Sequence, residues 1–186
     1  MLLLISGLIL WSAVHLIPSV AVGFRASVIN KLGLNRYSAI FSLFIIAALV
    51  LIVFGWKAAV PEALYAFPVF VRHISMLLVV VALILFGASV YPTRIQSYIR
   101  HPQLSGVLLW SVAHLLMNGD TRSVTLFGGL ALWAIVEMFL INRRDGEWEK
   151  KEPPSWKVET VGGLVTLVVI AIVVLVHPYI AGVPVY

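Results

Sequence analysis

Apolar residues fall along this chain in long blocks separated by short polar breaks. Stretches of roughly 20 apolar residues recur from one end to the other, each long enough to cross the hydrocarbon core of a bilayer as a helix. Six such runs stand out, at about residues 2–22, 37–56, 68–90, 102–118, 122–141 and 159–182, with limits good to about four residues either way. The breaks carry helix punctuation. Pro61 and Pro68 flank the turn before the third run, and Pro92 closes that run. Pro102 suits the first turn of the fourth, where its missing N–H costs nothing. Gly119 suits a helix C-cap, and Asp120 or Thr121 the following N-cap. The pattern predicts an all-α, polytopic integral membrane protein of six transmembrane helices, forming one transmembrane domain over residues 1–186.

Composition sharpens this reading. The 186 residues are 61% hydrophobic and 11% charged, against about a quarter charged in soluble domains. There is no Cys, which excludes disulfides, thiolate metal sites and Cys nucleophiles. The first run lacks a basic leader and is long enough to span, so it is expected to stay as a helix. The net charge of +5 reads as a topology signal, with no nucleic-acid partner implied. Of the 13 Lys and Arg residues, Arg25, Lys31, Arg36, Arg94, Arg100, Arg143, Arg144, Lys150, Lys151 and Lys157 fall in the first, third and fifth loops. Only Lys57, Arg72 and Arg122 fall on the opposite side. That bias places the odd loops in the cytoplasm and both termini outward. The fifth loop, "NRRDGEWEKKEPPSWK", is the one long polar segment and reads as a solvated connector beside anionic headgroups.

Two stretches echo each other. "GLILWSAVHL" (7–16) and "GVLLWSVAHL" (106–115) share Gly, Leu, Trp, Ser, His and Leu at matched spacings. Gly7, Trp11 and His15 are four apart, as are Gly106, Trp110 and His114, so each set forms a column on one helix face. The first and fourth runs point in opposite directions, which suggests an inverted repeat of three helices plus three. A histidine inside a membrane span is costly and marks a functional site by default; the plain alternative is an imidazole bonded to a helix carbonyl. With six residues of depth between the two histidines, the offset is roughly 9 Å. A tilted haem with axial histidines, whose Cα atoms lie on the order of 12–13 Å apart, would span that offset. The glycines would let a flat macrocycle approach. A zinc site would want a further His or a carboxylate, and no acid lies deep in these two helices.

Other polar groups offer alternatives. Arg100 is placed to hold a haem propionate or a lipid phosphate, or simply to snorkel. His101 reads as a proton-transfer group, a ligand or an interfacial residue. Gln103 continues the Gly106 column. Asn118 and Asp120 read as caps. Glu137 would pair with Arg143, Arg144 or Arg100. His73 and His177, on the same side as His114, form with it a rival ligand set. Gly128-Gly129 and Gly162-Gly163 would permit close helix packing.

"RHPQLSGVLLWSVAHLLMNGD", followed by "SVTLFGGLALWAIVEMFLINRRD" and preceded by "SAVHLIPSV", resembles the NnrU family over nearly the whole chain. That resemblance implies an association with denitrification, through nitric oxide and nitrite reductase. It also implies kinship with 15-cis-ζ-carotene isomerase, a membrane enzyme whose haem b is held by two histidines. The matching positions here are His15 and His114. Haem b, with nitric oxide or a hydrophobic polyene as its ligand, and either an auxiliary or sensory role or a cis–trans isomerase activity are thus implied. "RHPQLSG" is also similar to the RHPxYxG block that helps membrane methyltransferases hold S-adenosylmethionine. Leu104 and Ser105 depart from that block, and Met138 stands where a second acid would follow Glu137.

Overall fold

The computed structural model describes residues 1–182, and these residues form seven α-helices and one 3-10 turn. They are α1 (Leu2–Val20), α2 (Val22–Leu32), α3 (Leu34–Ala58), α4 (Val71–Val90), α5 (Pro102–Met117), α6 (Thr121–Asp145) and α7 (Trp156–Ala181), with the 3-10 turn at Arg94–Ser97. No strand occurs among the described residues; Ala63 and Asp120 form an isolated bridge. The all-α membrane architecture read from the sequence is therefore the observed one.

The span count differs in one respect. Five helices, α1, α3, α4, α6 and α7, are long and apolar enough to cross a membrane. The fourth expected span, α5, has 16 residues, which at about 1.5 Å per residue falls short of a core roughly 30 Å thick. The first loop also holds a helix the pattern did not announce. α2 is 11 residues long, buries none of them and carries Arg25 and Lys31. Its mixed composition hides it from a search for apolar runs, and it has the make-up of an interfacial helix.

Local chemistry explains the boundaries. Gly33, at φ 82°, separates α2 from α3 in a conformation that other residues rarely adopt. Tyr91 is extended ahead of Pro92, as a residue before proline must be, and α4 stops there. Asp120 caps α6, its Oδ1 accepting from the N–H groups of Arg122 at 3.1 Å and Ser123 at 3.0 Å. Partial burial pushes the Asp120 carboxyl up, but hydrogen bonds from Ser123 and the neighbouring Arg122 together outweigh it and hold it below the usual carboxylate range. Gly119 is not the left-handed cap expected; its φ is not positive. The Tyr65 carbonyl lies against its Cα, where a side chain would collide. The same strap donates Leu64 N–H to the Gly119 carbonyl at 2.7 Å and accepts Thr121 N–H on the Glu62 carbonyl at 2.9 Å.

Contacts cluster into two compact units, one of residues 1–66 and 118–146, the other of 67–117 and 147–186, with structure described to residue 182. In the first, α1 packs between α3 and α6, with α2 against α1 and α3. In the second, α4 packs on α5 and α7. These units do not follow the sequence halves, so the expected three-plus-three division is not where the contacts fall. The core of the first unit is Leu4, Leu8 and Ile52, with Trp11, Trp56, Leu126 and Leu130 around it. Burial elsewhere is sparse. α7 buries only Gly162, while Leu167, Ile172 and Leu175 are exposed. Such a surface is stable only where lipid is the solvent.

Candidate functional site

The two echoed segments adopt one local geometry, once in each unit. On α1, His15 Nδ1 lies 2.9 Å from the Trp11 carbonyl oxygen. On α5, His114 Nδ1 lies 2.8 Å from the Trp110 carbonyl oxygen. A carbonyl only accepts, so Nδ1 carries the proton in both rings, and in a neutral imidazole Nε2 is then the lone-pair nitrogen. Each ring also rests on its own tryptophan, with centroids 4.2 Å apart for Trp11 and His15 and 4.7 Å for Trp110 and His114. The four-residue spacing produces this arrangement, because i and i+4 side chains stack on a helix. A backbone carbonyl on the far ring nitrogen is also the usual way a metal-binding histidine is oriented.

Around His15 the first unit builds a larger cluster. Trp133 of α6 meets the imidazole edge-on at 5.1 Å, and Phe41 of α3 does so at 5.7 Å. Trp11 and Trp133 meet at 5.6 Å. One turn further on, Ser19 Oγ donates to Glu137 Oε1 at 2.6 Å, joining α1 to α6 in a buried bond. Three buried polar atoms here have no partner: the indole N–H groups of Trp11 and Trp133, and Glu137 Oε2. Orphaned buried groups are rare in folded proteins and mark places where a ligand or water belongs.

Glu137 does not make the ion pair expected of it. The Arg144 guanidinium is held instead by Asp145, at 2.6 and 3.0 Å, and by the Pro18 carbonyl at 3.0 Å. Ser19, Trp133 and Phe41 were not singled out from the sequence. The legible signal was the four-residue spacing of His15 to Ser19 and of Trp133 to Glu137, two columns that α1 and α6 bring face to face.

In each unit taken by itself, an imidazole whose Nδ1 is engaged by a carbonyl presents the kind of donor that haem iron accepts. The glycines do something else. A side chain at Gly7 would meet Ile52 Cγ1 and Ile52 N at 2.8 Å, so the close approach there is made by α3. At Gly106 it would meet the Phe86 ring at 3.0 Å and the Ala82 carbonyl oxygen at 3.1 Å, on α4. Both glycines permit helices to pack, which is their common use in membranes.

The remaining candidates lie in the second unit. Arg100 and His101 precede α5, and Gln103 is exposed in its first turn. His177 of α7 lies within electrostatic reach of His114. No three His, Asp or Glu side chains come together as a metal-binding group among the described residues. The rival set of His73, His114 and His177 is therefore not assembled; the three residues sit on three helices, and no further acid or imidazole completes a site.

No curated protein and no solved structure matches this chain. The family described as NnrU protein matches residues 3–185. With that match running almost end to end over a helical membrane bundle, the chain belongs to the NnrU family.

Proposed function

We propose that this NnrU protein binds haem b in a bacterial cytoplasmic membrane, with His15 and His114 as iron ligands. Its role would be auxiliary or sensory in nitric oxide and nitrite reductase metabolism. The observation that carries the reading is the repeated lock, in which each histidine gives its Nδ1 proton to the tryptophan carbonyl four residues earlier and keeps Nε2 as the ligating nitrogen. The three orphaned polar atoms beside His15 add to it. Haem would supply an iron able to take nitric oxide. The chain supplies oriented imidazoles and an aromatic wall that keeps bulk water away. The His15 ring rests on Trp133 of α6, one turn from the Ser19–Glu137 bond. A change in its position would therefore register at the α1–α6 contact. With α5 crossing as a short sixth span, the Lys and Arg bias sets both termini outward.

Optical spectroscopy of the purified chain, expressed with haem supplied, tests this. The expected result is a Soret band with sharp low-spin peaks on reduction, lost in both His15→Ala and His114→Ala. The absence of any haem spectrum would sink the proposal. Loss in His73→Ala or His177→Ala but not in His15→Ala would sink the ligand assignment.

A further inference from the structure

An apolar pocket of about 330 Å³ opens between α1, α2 and α3, and its wall includes Phe41, whose other edge meets the His15 imidazole. Val14 and Ile17 of α1, Phe24 and Val28 of α2, and Ile40 and Phe44 of α3 line it. Its volume lies in the range of small-molecule sites, roughly 300–1,000 Å³. Tyr37 also lines it, and the Arg25 guanidinium, outside the lining, lies 5.7 Å from the Tyr37 ring centroid.

Two atoms of this neighbouring pair have no partner: Arg25 Nε and the Tyr37 hydroxyl, both buried. Both are hydrogen-bond donors, and one is cationic. No acidic residue precedes Glu62 in the chain, so nothing nearby in sequence neutralises Arg25, Lys31 or Arg36. α2 itself has no buried residue and lies against α1 and α3, as a helix resting at a membrane interface would. An apolar slot with unpartnered donors and positive charge beside its Tyr37 wall is complementary to one kind of molecule, a chain of methylenes with an anionic head.

We propose that this pocket holds an anionic phospholipid drawn from the leaflet in which α2 rests. One acyl chain lies between α1 and α3 under Val28, and the phosphate accepts from Arg25 Nε and the Tyr37 hydroxyl. The lipid satisfies two donors that the protein leaves unpaired and seals α2 onto the bundle. A basic pocket between membrane helices is a known kind of headgroup site. The proposal stands apart from the haem reading, since none of the pocket residues is a proposed ligand.

The test uses the full chain in nanodiscs of mixed phosphatidylglycerol and phosphatidylcholine, moved into mild detergent and weighed by native mass spectrometry. The wild type should retain phosphatidylglycerol in preference to phosphatidylcholine. Arg25→Gln should lower that retention by roughly tenfold, as expected for one charge-assisted hydrogen bond, and Tyr37→Phe by less. Val28→Trp should exclude the lipid by filling the slot, while Arg143→Gln, exposed and elsewhere, should leave retention unchanged. Circular dichroism checks that each variant is folded, and Arg25→Gln, which removes the charge from a half-buried side chain, decides the matter should Val28→Trp fail to fold. Retention without preference for the anionic lipid, recovery of a headgroup-free hydrophobe instead, or wild-type retention in Arg25→Gln overturns the proposal.

Discussion

Ser19→Ala removes a buried side-chain bond that joins α1 to α6. The wild-type hydroxyl donates to Glu137 Oε1 at 2.6 Å, with Ser19 9% and Glu137 7% exposed. Hydrogen bonds between membrane helices average about 0.6 kcal/mol and reach about 1.7 kcal/mol. This bond belongs at the upper end. It is short, its acceptor is an acid, and Oε2 already lacks a partner, so removal strands the whole carboxyl group in an apolar setting. The volume lost is one oxygen, so a cavity adds little. The expected cost is therefore about 1.5 kcal/mol, roughly a tenfold shift of the unfolding equilibrium. Unfolding by sodium dodecyl sulfate in mixed micelles, followed by circular dichroism, measures it. A double-mutant cycle with Glu137→Leu supplies the decisive number. Once the acid is gone the hydroxyl has nothing to donate to, and Ser19→Ala should cost much less. A coupling energy below about 0.3 kcal/mol, the scatter of independent sites, would refute the argument and reduce the bond to an incidental contact.

Further outcomes follow from the same geometry. Gly55→Ala should destabilise by about 1–3 kcal/mol in the same unfolding assay, because its Cβ would run into the Leu4 backbone, with Leu4 Cα at 2.6 Å. Gly128→Ala, with nothing within 4 Å, should be neutral or stabilise by up to about 1 kcal/mol. A cost at Gly128 equal to that at Gly55 would contradict the packing described. Asp120→Ala should cost about 1 kcal/mol through loss of the α6 cap. Because the folded state holds this carboxyl below its ordinary range, the ionised form stabilises the fold. That contribution is complete above the unfolded value of about 3.9 and fades as pH falls through the lower folded value. Asp120→Ala should accordingly narrow its gap to wild type in acid; a gap that widens there would overturn the sign. Finally, on the proposed haem reading, His15→Ala and His114→Ala should each remove the haem absorbance, while Gly7→Ala should act first on the stability of the α1–α3 pair.

Much of the fold was written in the hydropathy blocks. The limits of α1, α3, α4, α5 and α7 fall within three residues of the expected ones, and α6 runs four residues past its expected end, to Asp145, because the apolar blocks themselves set the helix lengths. α2 escaped because an 11-residue helix of mixed composition leaves no block. The Trp11–His15 and Trp110–His114 columns were legible for a different reason: an i, i+4 pair is local, so helix geometry alone brings its members together. Ser19 against Glu137 and His15 against Trp133 are separated by more than a hundred positions. No periodicity in one helix states which face of another it will meet.

The sequence by itself therefore determined that this is a helical membrane protein, where its long apolar helices begin and end, and that two tryptophan–histidine columns recur. Those properties follow from hydrophobic length and from contacts within a single turn. Only the tertiary structure decided that α1 lies between α3 and α6, that Gly7 and Gly106 admit neighbouring helices, and that an apolar slot with Tyr37 in its wall forms between α1, α2 and α3. Each depends on which helix faces which, and in lipid that choice is made by close packing and a few buried polar bonds, since the apolar surfaces themselves are nearly interchangeable.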